Sequence, residues 1–271
     1  MNKYLLFSAS LLLILVNSCT RQEMEMKNYS YANTFHLTPD TTLGGLSISI
    51  EAELPVNFSN KEILKSIQQQ IVGKMFGEIY TNLPVDSIIP SYVSRLYNDY
   101  KISYGTDLEK YMNLKGPMLS NEIQVEAVSM FLDDKILSYS YERYAYMGGA
   151  HGNSNRYFYN FDLRNGHILH ESDIFIDNYK APLTELIKQR IVEDNAEIES
   201  VADLTEFDFW ESEIKPNGNF YISDEGIVYV FNPYEIAPYS TGQTEVTLPY
   251  DRLKVLLKPG NLISYLYSTP A

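Results

Sequence analysis

The sequence is poor in the residues that most often carry covalent chemistry: it has one cysteine and four histidines among 271 residues. Because Cys19 stands alone, no disulfide can form within the chain. Positive charge is also scarce, since 21 Lys and Arg face 35 Asp and Glu, a formal net charge of −14. This balance argues against nucleic acid as a partner, because phosphate binding needs a basic surface.

A strongly apolar stretch stands at the N-terminus. A positive residue precedes it, it ends at Val16, and Val16-Asn17-Ser18-Cys19 follows the lipobox pattern except at Asn17. The stretch is shorter than the ~20 apolar residues that span a bilayer, so it is typical of a signal peptide rather than a permanent anchor. We expect residues 1–18 to be removed and Cys19 to carry the lipid, with diacylglycerol and palmitate.

An ordinary signal peptide followed by a chance cysteine is the alternative. The isolation of Cys19 favours lipidation, because an unpaired reactive thiol is unusual in an oxidising compartment. Thr20 follows it where an aspartate would favour the inner membrane. We therefore expect a lipoprotein of the cell envelope, anchored in the outer membrane, with residues 19–40 as lipidated cysteine and polar tether.

Beyond the expected tether, local patterns predict both strands and helices. Leu46–Val56 alternates apolar and polar residues, as a half-buried strand does. Residues 60–77 carry apolar side chains at helical spacing after a capping box formed by Ser59 and Glu62. A second helix is predicted over 86–101, beginning near Pro90.

Strands joined by tight turns dominate the remainder. The predicted elements are hairpins over 122–147 and 157–169, a helix over 180–193, strands over 219–222, 227–231 and 245–248, and a helix over 250–257. We therefore predict an α+β fold in which antiparallel sheets pack against helices. The predicted division is an N-terminal part over 41–150 and a C-terminal part over 151–271.

Two loops hold the residues that we expect to bind a partner. The first, 146–152, has three glycines that permit positive φ or close approach of another group. The second, 231–242, has two prolines and a terminal glycine, which make it stiff and non-helical. The candidate binding residues are Tyr146, Gly148, Gly149, His151, Gly152, Tyr234, Glu235 and Tyr239.

These two loops, with Gly166–Phe175 and Val246–Tyr250, resemble the pattern of RsiV/PdaC-like extracytoplasmic domains over about residues 45–257. Such domains form the ectodomain of a lysozyme-sensing anti-sigma factor and the non-catalytic part of a peptidoglycan deacetylase. The resemblance implies a two-part α+β fold and an envelope-facing binding role. Our hypothesis for the partner is a cationic, lysozyme-like muramidase or peptidoglycan.

Catalytic and metal chemistry have less support. The sequence has no His-x-x-x-His, no Gly-x-Ser-x-Gly elbow and no phosphate or dinucleotide loop, so we predict no cofactor. His167 and His170 would point to opposite faces of a strand, which argues against a metal site. The alternative function is a cell-wall hydrolase or esterase with His151 and Glu235 as acid–base pair. We instead favour a non-enzymatic binding module in which His151 fixes its loop through backbone carbonyls.

Overall fold

The structure is a computed structural model that describes residues 24–113 and 117–267. The expected signal peptide and Cys19 lie outside the described residues. Within these two ranges, no helix is both long enough and apolar enough to cross a bilayer.

The first part of the fold is a six-stranded sheet in the order β1 to β6. Its strands are β1 (Glu25–Phe35), β2 (Leu46–Asn57), β3 (Asn121–Leu132), β4 (Ile136–Tyr146), β5 (Asn153–Asp162) and β6 (His167–Leu169). Neighbouring strands are antiparallel except for β2 and β3, which run parallel. Parallel neighbours need a long crossover. The predicted antiparallel sheets are therefore confirmed with this one parallel pair as the exception.

The crossover between β2 and β3 holds the helices of the first part. They are α1 (Lys61–Met75), α2 (Val85–Gly105) and α3 (Leu108–Met112), with short 3₁₀ turns at Glu78–Tyr80 and, before β2, at Thr41–Leu43. Apolar residues of α1 and α2 pack against β2 and β3 in one core. The helix predicted over 60–77 is thus confirmed. Its apolar residues recur at helical spacing because one face of α1 packs on the sheet.

The helix ends differ from the predicted ones. Asn60, and not Ser59, caps α1: its side-chain oxygen accepts from the N–H groups of Glu62 and Ile63 at 3.1 and 3.2 Å. Pro90 lies inside α2 instead of at its start. It is exposed, as is Asp86 one turn earlier, so water can reach the carbonyl that loses its partner.

Residues 25–35 form a strand, and the prediction that they belong to a tether is wrong. This segment, β1, pairs along its whole length with β2. Tyr29, Tyr31 and Phe35 share one face of the strand and pack against the core, and the Phe35 ring stacks on Tyr97 at 4.5 Å. Half-buried tyrosines at alternate positions stabilise this strand, although most of its other residues are polar.

The second part is a three-stranded antiparallel sheet with four helices and its own apolar core. Its elements are α4 (Glu171–Ile174), α5 (Lys180–Asp194), β7 (Phe220–Ile222), β8 (Gly226–Phe231), β9 (Thr244–Pro249), α6 (Tyr250–Leu253) and α7 (Ser264–Tyr267), with 3₁₀ turns at Val201–Phe207, Glu211–Glu213 and Tyr239–Thr241. Strand β8 is buried on both faces. This agrees with its uninterrupted apolar sequence.

The boundary between the parts lies later than predicted. The six-stranded sheet continues through β6 to Leu169, so the division at 150/151 falls inside the β4–β5 hairpin. Phe161 and Leu163, after that point, belong to the first core. A glycine-rich loop between two strands of one sheet is a hairpin connection as readily as a link between domains, and here it is the former.

A polar seam joins the two sheets, and in it each sheet covers an open edge of the other. On the side of β5 away from β4, where β6 pairs only with residues 160–162, Asn232 accepts from the Arg156 N–H at 2.7 Å and donates to the Arg156 carbonyl at 3.1 Å. Asn219 accepts from the Phe158 N–H at 3.0 Å and also donates to the Arg156 carbonyl. Two side-chain amides thus take the place of a neighbouring strand.

The open edge of the three-stranded sheet, at β7, is covered in the same way by side chains of the six-stranded sheet. The Asn160 amide donates to the Phe220 carbonyl on β7 at 2.9 Å, and its oxygen accepts from the Ile222 N–H at 3.0 Å. The Ser138 hydroxyl donates to the Ile222 carbonyl at 2.8 Å. Ser138 and Asn160 are fully buried. The second part is therefore attached to the first by directional hydrogen bonds as well as by apolar contact.

Candidate functional site

The first candidate loop, residues 147–152, connects β4 to β5. Gly148 and Gly149 adopt φ of 88° and 109°, which only glycine reaches without strain. The Tyr146 hydroxyl donates to the Gly149 carbonyl at 3.1 Å and holds the turn. A Cβ on Gly152 would lie 2.3 Å from the Tyr144 ring, so a larger residue here would require that ring to move.

The second candidate loop leaves the end of β8 through a tight turn at Asn232. The Glu235 N–H donates to the Asn232 carbonyl at 3.0 Å, and the Tyr234 N–H donates to the Ala237 carbonyl at 3.1 Å. Ile236 and Ala237 are buried and anchor the loop. The loop is therefore ordered by its own backbone and by two apolar anchors.

Tyr234, at the tip of this turn, is both strained and exposed. Its φ is 70°, and its side chain is 53% exposed. The other residues with positive φ in the described ranges, glycines apart, are Asn178 and Asp208. Asn and Asp tolerate this conformation through local hydrogen bonds, whereas a tyrosine has no such compensation.

The two loops meet through a row of three rings. The His151 ring stacks on Tyr239 at 4.4 Å with an interplanar angle of 24°, and Tyr239 contacts Tyr234 at 5.7 Å. The Tyr239 hydroxyl donates to the Gly152 carbonyl at 3.2 Å and so joins the loops directly. The structure thus brings together the sequence-selected residues of both loops in one surface.

Glu235 and His151 are not paired with each other. Glu235 accepts from the Asn217 amide at 2.9 Å and from Asn232 at 3.5 Å. His151 places Nδ1 2.8 Å from the Gly152 carbonyl, to which it can only donate. His151 therefore has the loop-fixing role, and the acid–base pair of the hydrolase hypothesis is not formed in this arrangement.

A shallow pocket of about 220 Å³ adjoins Glu235, and most of its residues were missed by the sequence analysis. Tyr157, Tyr159, Asn217 and Asn219 line it together with Glu235. Tyr157 is 41% exposed. Pro216-Asn217-Gly218-Asn219 has the composition of an ordinary turn, so nothing local marks these asparagines as contacts of a distant strand.

Glu171 fixes the 217–219 turn beneath this pocket. Its carboxylate accepts from the Gly218 N–H at 3.1 Å and from the hydroxyls of Tyr229 and Tyr179 at 3.0 and 2.7 Å. Burial, followed by the charge of Glu171, raises the pKa of Tyr229 well above its usual value. Tyr229 therefore stays protonated and remains a donor to Glu171.

His167 and His170 lie apart from the loop surface, at β6 and at the start of α4. Both line a polar cleft of about 600 Å³ that also contains Arg164 and Asp173. Among the described residues, no group of three or more His, Cys, Asp and Glu side chains is arranged to hold a metal ion.

Comparison with known proteins finds a matching family model for each part. Residues 46–154 match the family model "Deacetylase PdaC", and residues 172–251 match "Protein of unknown function (DUF3298)". No curated protein matches the chain. The first match contains the whole glycine-rich loop and ends at residue 154 in β5, and the second contains the whole 231–242 loop.

Two solved structures are similar over nearly the whole chain. A DUF3298-family protein from Bacteroides fragilis has 26% identity and a TM-score of 0.84, covering 92% of this chain and 99% of its own. A DUF3298-family protein from Pseudomonas aeruginosa has 15% identity and a TM-score of 0.61, covering 91% and 98%. The second likeness concerns the fold alone. Together they confirm the α+β fold class.

Proposed function

We propose that this chain, whose first part matches the PdaC model and whose second part matches the DUF3298 model, is a lipid-anchored binding module of the cell envelope. In this proposal, the surface formed by residues 146–152 and 232–242 recognises a cationic protein of the lysozyme type or peptidoglycan. Cys19 carries the lipid, and the module acts without catalysis.

The observation that carries the proposal is the exposed ring row of Tyr234, Tyr239 and His151. A strained, outward-facing tyrosine costs stability, and such strain is found mostly where function requires a fixed geometry. Rings with polar tips combine contact area with hydrogen bonding, which is why tyrosine is enriched in interfaces. The row is also held rigidly by the Tyr239–Gly152 hydrogen bond.

Charge supports a cationic partner. The formal net charge is −14, and Glu235 is exposed beside the ring row. Complementary charge raises the association rate and helps to orient the partner. A basic protein approaching this chain would meet a negative surface at the same place as the exposed rings.

The test is a calorimetric titration of residues 20–271 with lysozyme at low and at physiological salt. We expect submicromolar affinity that survives physiological salt and falls at least about tenfold in Tyr234→Ala and Tyr239→Ala, as truncation of central aromatic contacts does. His167→Ala, an exposed histidine outside the surface, is the matched control. Binding that disappears with salt, or that is equal in all variants, would contradict a specific muramidase site.

Sedimentation with purified peptidoglycan tests the second partner with the same variants. Retention of the parent protein and release of Tyr239→Ala would identify the wall polymer as the ligand. Release of soluble muropeptides, lost in His151→Ala while the fold persists, would instead show catalysis and contradict the binding module. Among the described residues, His151 and Glu235 contact other partners and not each other, so their arrangement does not favour that outcome.

A further inference from the structure

Strand β1 forms an outer edge of the six-stranded sheet. Among the described residues, β1 pairs with β2 and with no other strand. It is 11 residues long, and the register shift in its pairing lies between Glu25 and Met26, so the remainder of the strand is regular. The outer side of such a strand presents a row of N–H and carbonyl groups on which another strand can add.

The pairing of β2 with β3 shows which residues of β1 point outwards. The Asn121 N–H donates to the Gly45 carbonyl at 2.9 Å, so odd-numbered residues of β2 direct their backbone groups towards β3. Backbone groups alternate between the two sides of a strand, and even-numbered residues of β2 therefore face β1. Their partners in β1 are odd-numbered, as in the pair of Ile50 with Tyr31. The even-numbered residues of β1 thus direct their backbone groups away from the sheet.

The N–H of Thr34 agrees with this assignment. It donates to the side-chain oxygen of Asn33 at 2.9 Å, as an N–H on the outer side of the strand can. Within residues 24–113 and 117–267, the outward backbone groups of β1 make no other hydrogen bond. The outward residues with exposed side chains are Asn28, Ser30, Ala32 and Thr34. The edge is therefore open to a second strand along most of its length.

The features that usually prevent pairing at an edge are weak in β1. Edges are commonly blocked by proline, by bulges or by a free lysine. β1 has no proline, and Lys27 is held towards α2, 3.5 Å from the Asp86 carboxylate and 4.7 Å from the centre of the Tyr29 ring. Because Lys27 balances Glu25, the strand is neutral on a chain with a formal net charge of −14. The edge of β5, by contrast, is covered by two side-chain amides.

We propose that β1 pairs antiparallel with β1 of a second copy of this chain, across a twofold axis at Ser30. A twofold axis presents the same surface of both copies to each other. In this register the strands overlap over their whole length, and Asn28 lies opposite Ala32 of the second copy. Outward residues thus face outward residues, as an antiparallel ladder requires. The two six-stranded sheets join into one continuous sheet.

The sequence of β1 is complementary to itself in this register. Tyr29 lies opposite Tyr31 of the second copy, and cross-strand aromatic pairs stabilise antiparallel sheets. Lys27 lies opposite Asn33, so no like charges face each other. A strand of another protein would have to match this pattern, whereas a second copy supplies it.

This pairing does not depend on the proposed function. Three strands separate β1 from β5, the strand that follows the 146–152 loop. The two-loop surface therefore stays accessible in both copies, and loss of muramidase or peptidoglycan binding would leave the β1 pairing unaffected.

The first test is cysteine crosslinking in residues 20–271, which contain the whole described fold and no cysteine. Ser30→Cys places two thiols opposite each other at the axis, where the Cα atoms are about 5.5 Å apart and within disulfide range. We expect it to form a disulfide-linked dimer under mild oxidation. Thr34→Cys is equally exposed but lies about 27 Å from its counterpart in this register, and it should stay monomeric. Equal crosslinking of both variants, or none in Ser30→Cys, would overturn the proposal.

Sedimentation equilibrium of the same residues tests the role of the backbone. The parent should show a concentration-dependent equilibrium between monomer and dimer. Ala32→Pro removes one outward N–H from each copy and leaves the N–H groups that face β2 in place, so dimerisation should weaken at least about tenfold. Ala32→Val keeps the N–H and should behave as the parent.

Thermal unfolding of dilute Ala32→Pro checks that the monomer remains folded. If that variant dimerises as the parent does, the copies meet through another surface and the proposal is wrong. A parent that stays monomeric at every concentration would also overturn it, and the open edge would then be available to a strand of a different protein.

Discussion

The interiors of the two parts and the seam between them are built on different physical principles. Each interior is apolar and continuous, with strands and helices covering one another. At the seam, Ser138, Asn160, Asn219 and Asn232 instead exchange hydrogen bonds with backbone groups of the opposite sheet. The interiors are held by apolar contact, which depends little on angle. The seam has such contact between Phe158, Val228 and Val230, and adds hydrogen bonds, which depend strongly on angle.

This difference between the interiors and the seam explains how the two-loop surface keeps its geometry. Apolar cores tolerate small shifts between elements, whereas paired amides fix one strand against another to within hydrogen-bond tolerance. Asn232 belongs both to the seam and to the turn that presents Tyr234. Positioning of the ring row therefore depends on the seam as well as on Ile236 and Ala237 in the second core.

The largest loss of folding stability should come from a substitution in the apolar interior of the first part. Phe161→Ala on β5 removes a ring that is 1% exposed in the first core, and we expect a loss of about 3–5 kcal/mol in the free energy of unfolding. Urea denaturation measures it. Tyr157→Ala on the same strand, 41% exposed, is the control and should cost much less. Equal losses would mean that this core does not carry the stability of its part.

Asn232→Ala should break the seam at a cost of about 2–4 kcal/mol, because it leaves the N–H and carbonyl of Arg156 without this partner. We expect denaturation followed by two probes, one in each part, to separate into two transitions. Asn28→Ala, exposed on β1, is the control. A single coincident transition in Asn232→Ala would show that the apolar contacts alone couple the parts.

Asn219 provides a second test of the seam, because the side-chain amides of Asn219 and Asn232 both donate to the Arg156 carbonyl. A double-mutant cycle of the two alanine substitutions should therefore be non-additive by more than about 0.5 kcal/mol. Additive losses would indicate that the two amides act independently.

A smaller, pH-dependent effect is expected from Asp162, a charged group inside the first part. Burial raises the pKa of this carboxyl, but hydrogen bonds from the Arg164 side chain and backbone outweigh it, and the net pKa is lowered. A lowered folded-state pKa gives stability that is present above the unfolded value of about 3.9 and is lost as pH falls through the folded value.

Asp162→Asn should therefore lower stability by about 1–2 kcal/mol at pH 7 and flatten its decline below about pH 4. Thermal unfolding of parent and variant between about pH 2 and 7 measures this. Asp177→Asn, exposed between α4 and α5, is the control for the general effect of losing one carboxylate. A variant whose decline below pH 4 is as steep as that of the parent would contradict the assignment.

The smallest expected change in the free energy of unfolding is a gain in stability instead of a loss. Tyr234→Gly relieves the positive φ and should raise stability by up to about 1 kcal/mol, while weakening partner binding at the two-loop surface. Asn178→Gly, at a similar φ of 62°, is the control and should change stability less because asparagine tolerates this region. A destabilised Tyr234→Gly would show that the ring contacts outweigh the backbone strain.

Local patterns predicted much of the fold. The helical spacing of 60–77 gave α1, and the Asn165-Gly166 turn gave the β5–β6 hairpin, because these signals come from residues close together in the chain. The strand β1 was missed since its polar composition hides three half-buried rings. The parallel β2–β3 pair was missed because pairing across a long crossover leaves no local mark.

The candidate site was predicted in its loops but not in its support. The glycines and prolines of 146–152 and 231–242 predicted unusual backbone conformations in these loops. The structure brings the two segments together through the hydrogen bond between Tyr239 and Gly152. Their binding role stays a prediction. Asn217, Asn219 and Glu171 were missed because their partners lie far along the chain, and an asparagine in a turn already has a local explanation.

The amide-covered edge of β5 also has a consequence for how copies of this protein behave when they are crowded. A strand with free N–H and carbonyl groups is a template on which a second chain can add, and such addition leads to aggregation or domain swapping. Asn219 and Asn232 occupy the groups of Arg156 and Phe158 that a foreign strand would need. Their side chains therefore block the addition of a foreign strand to this part of the β5 edge.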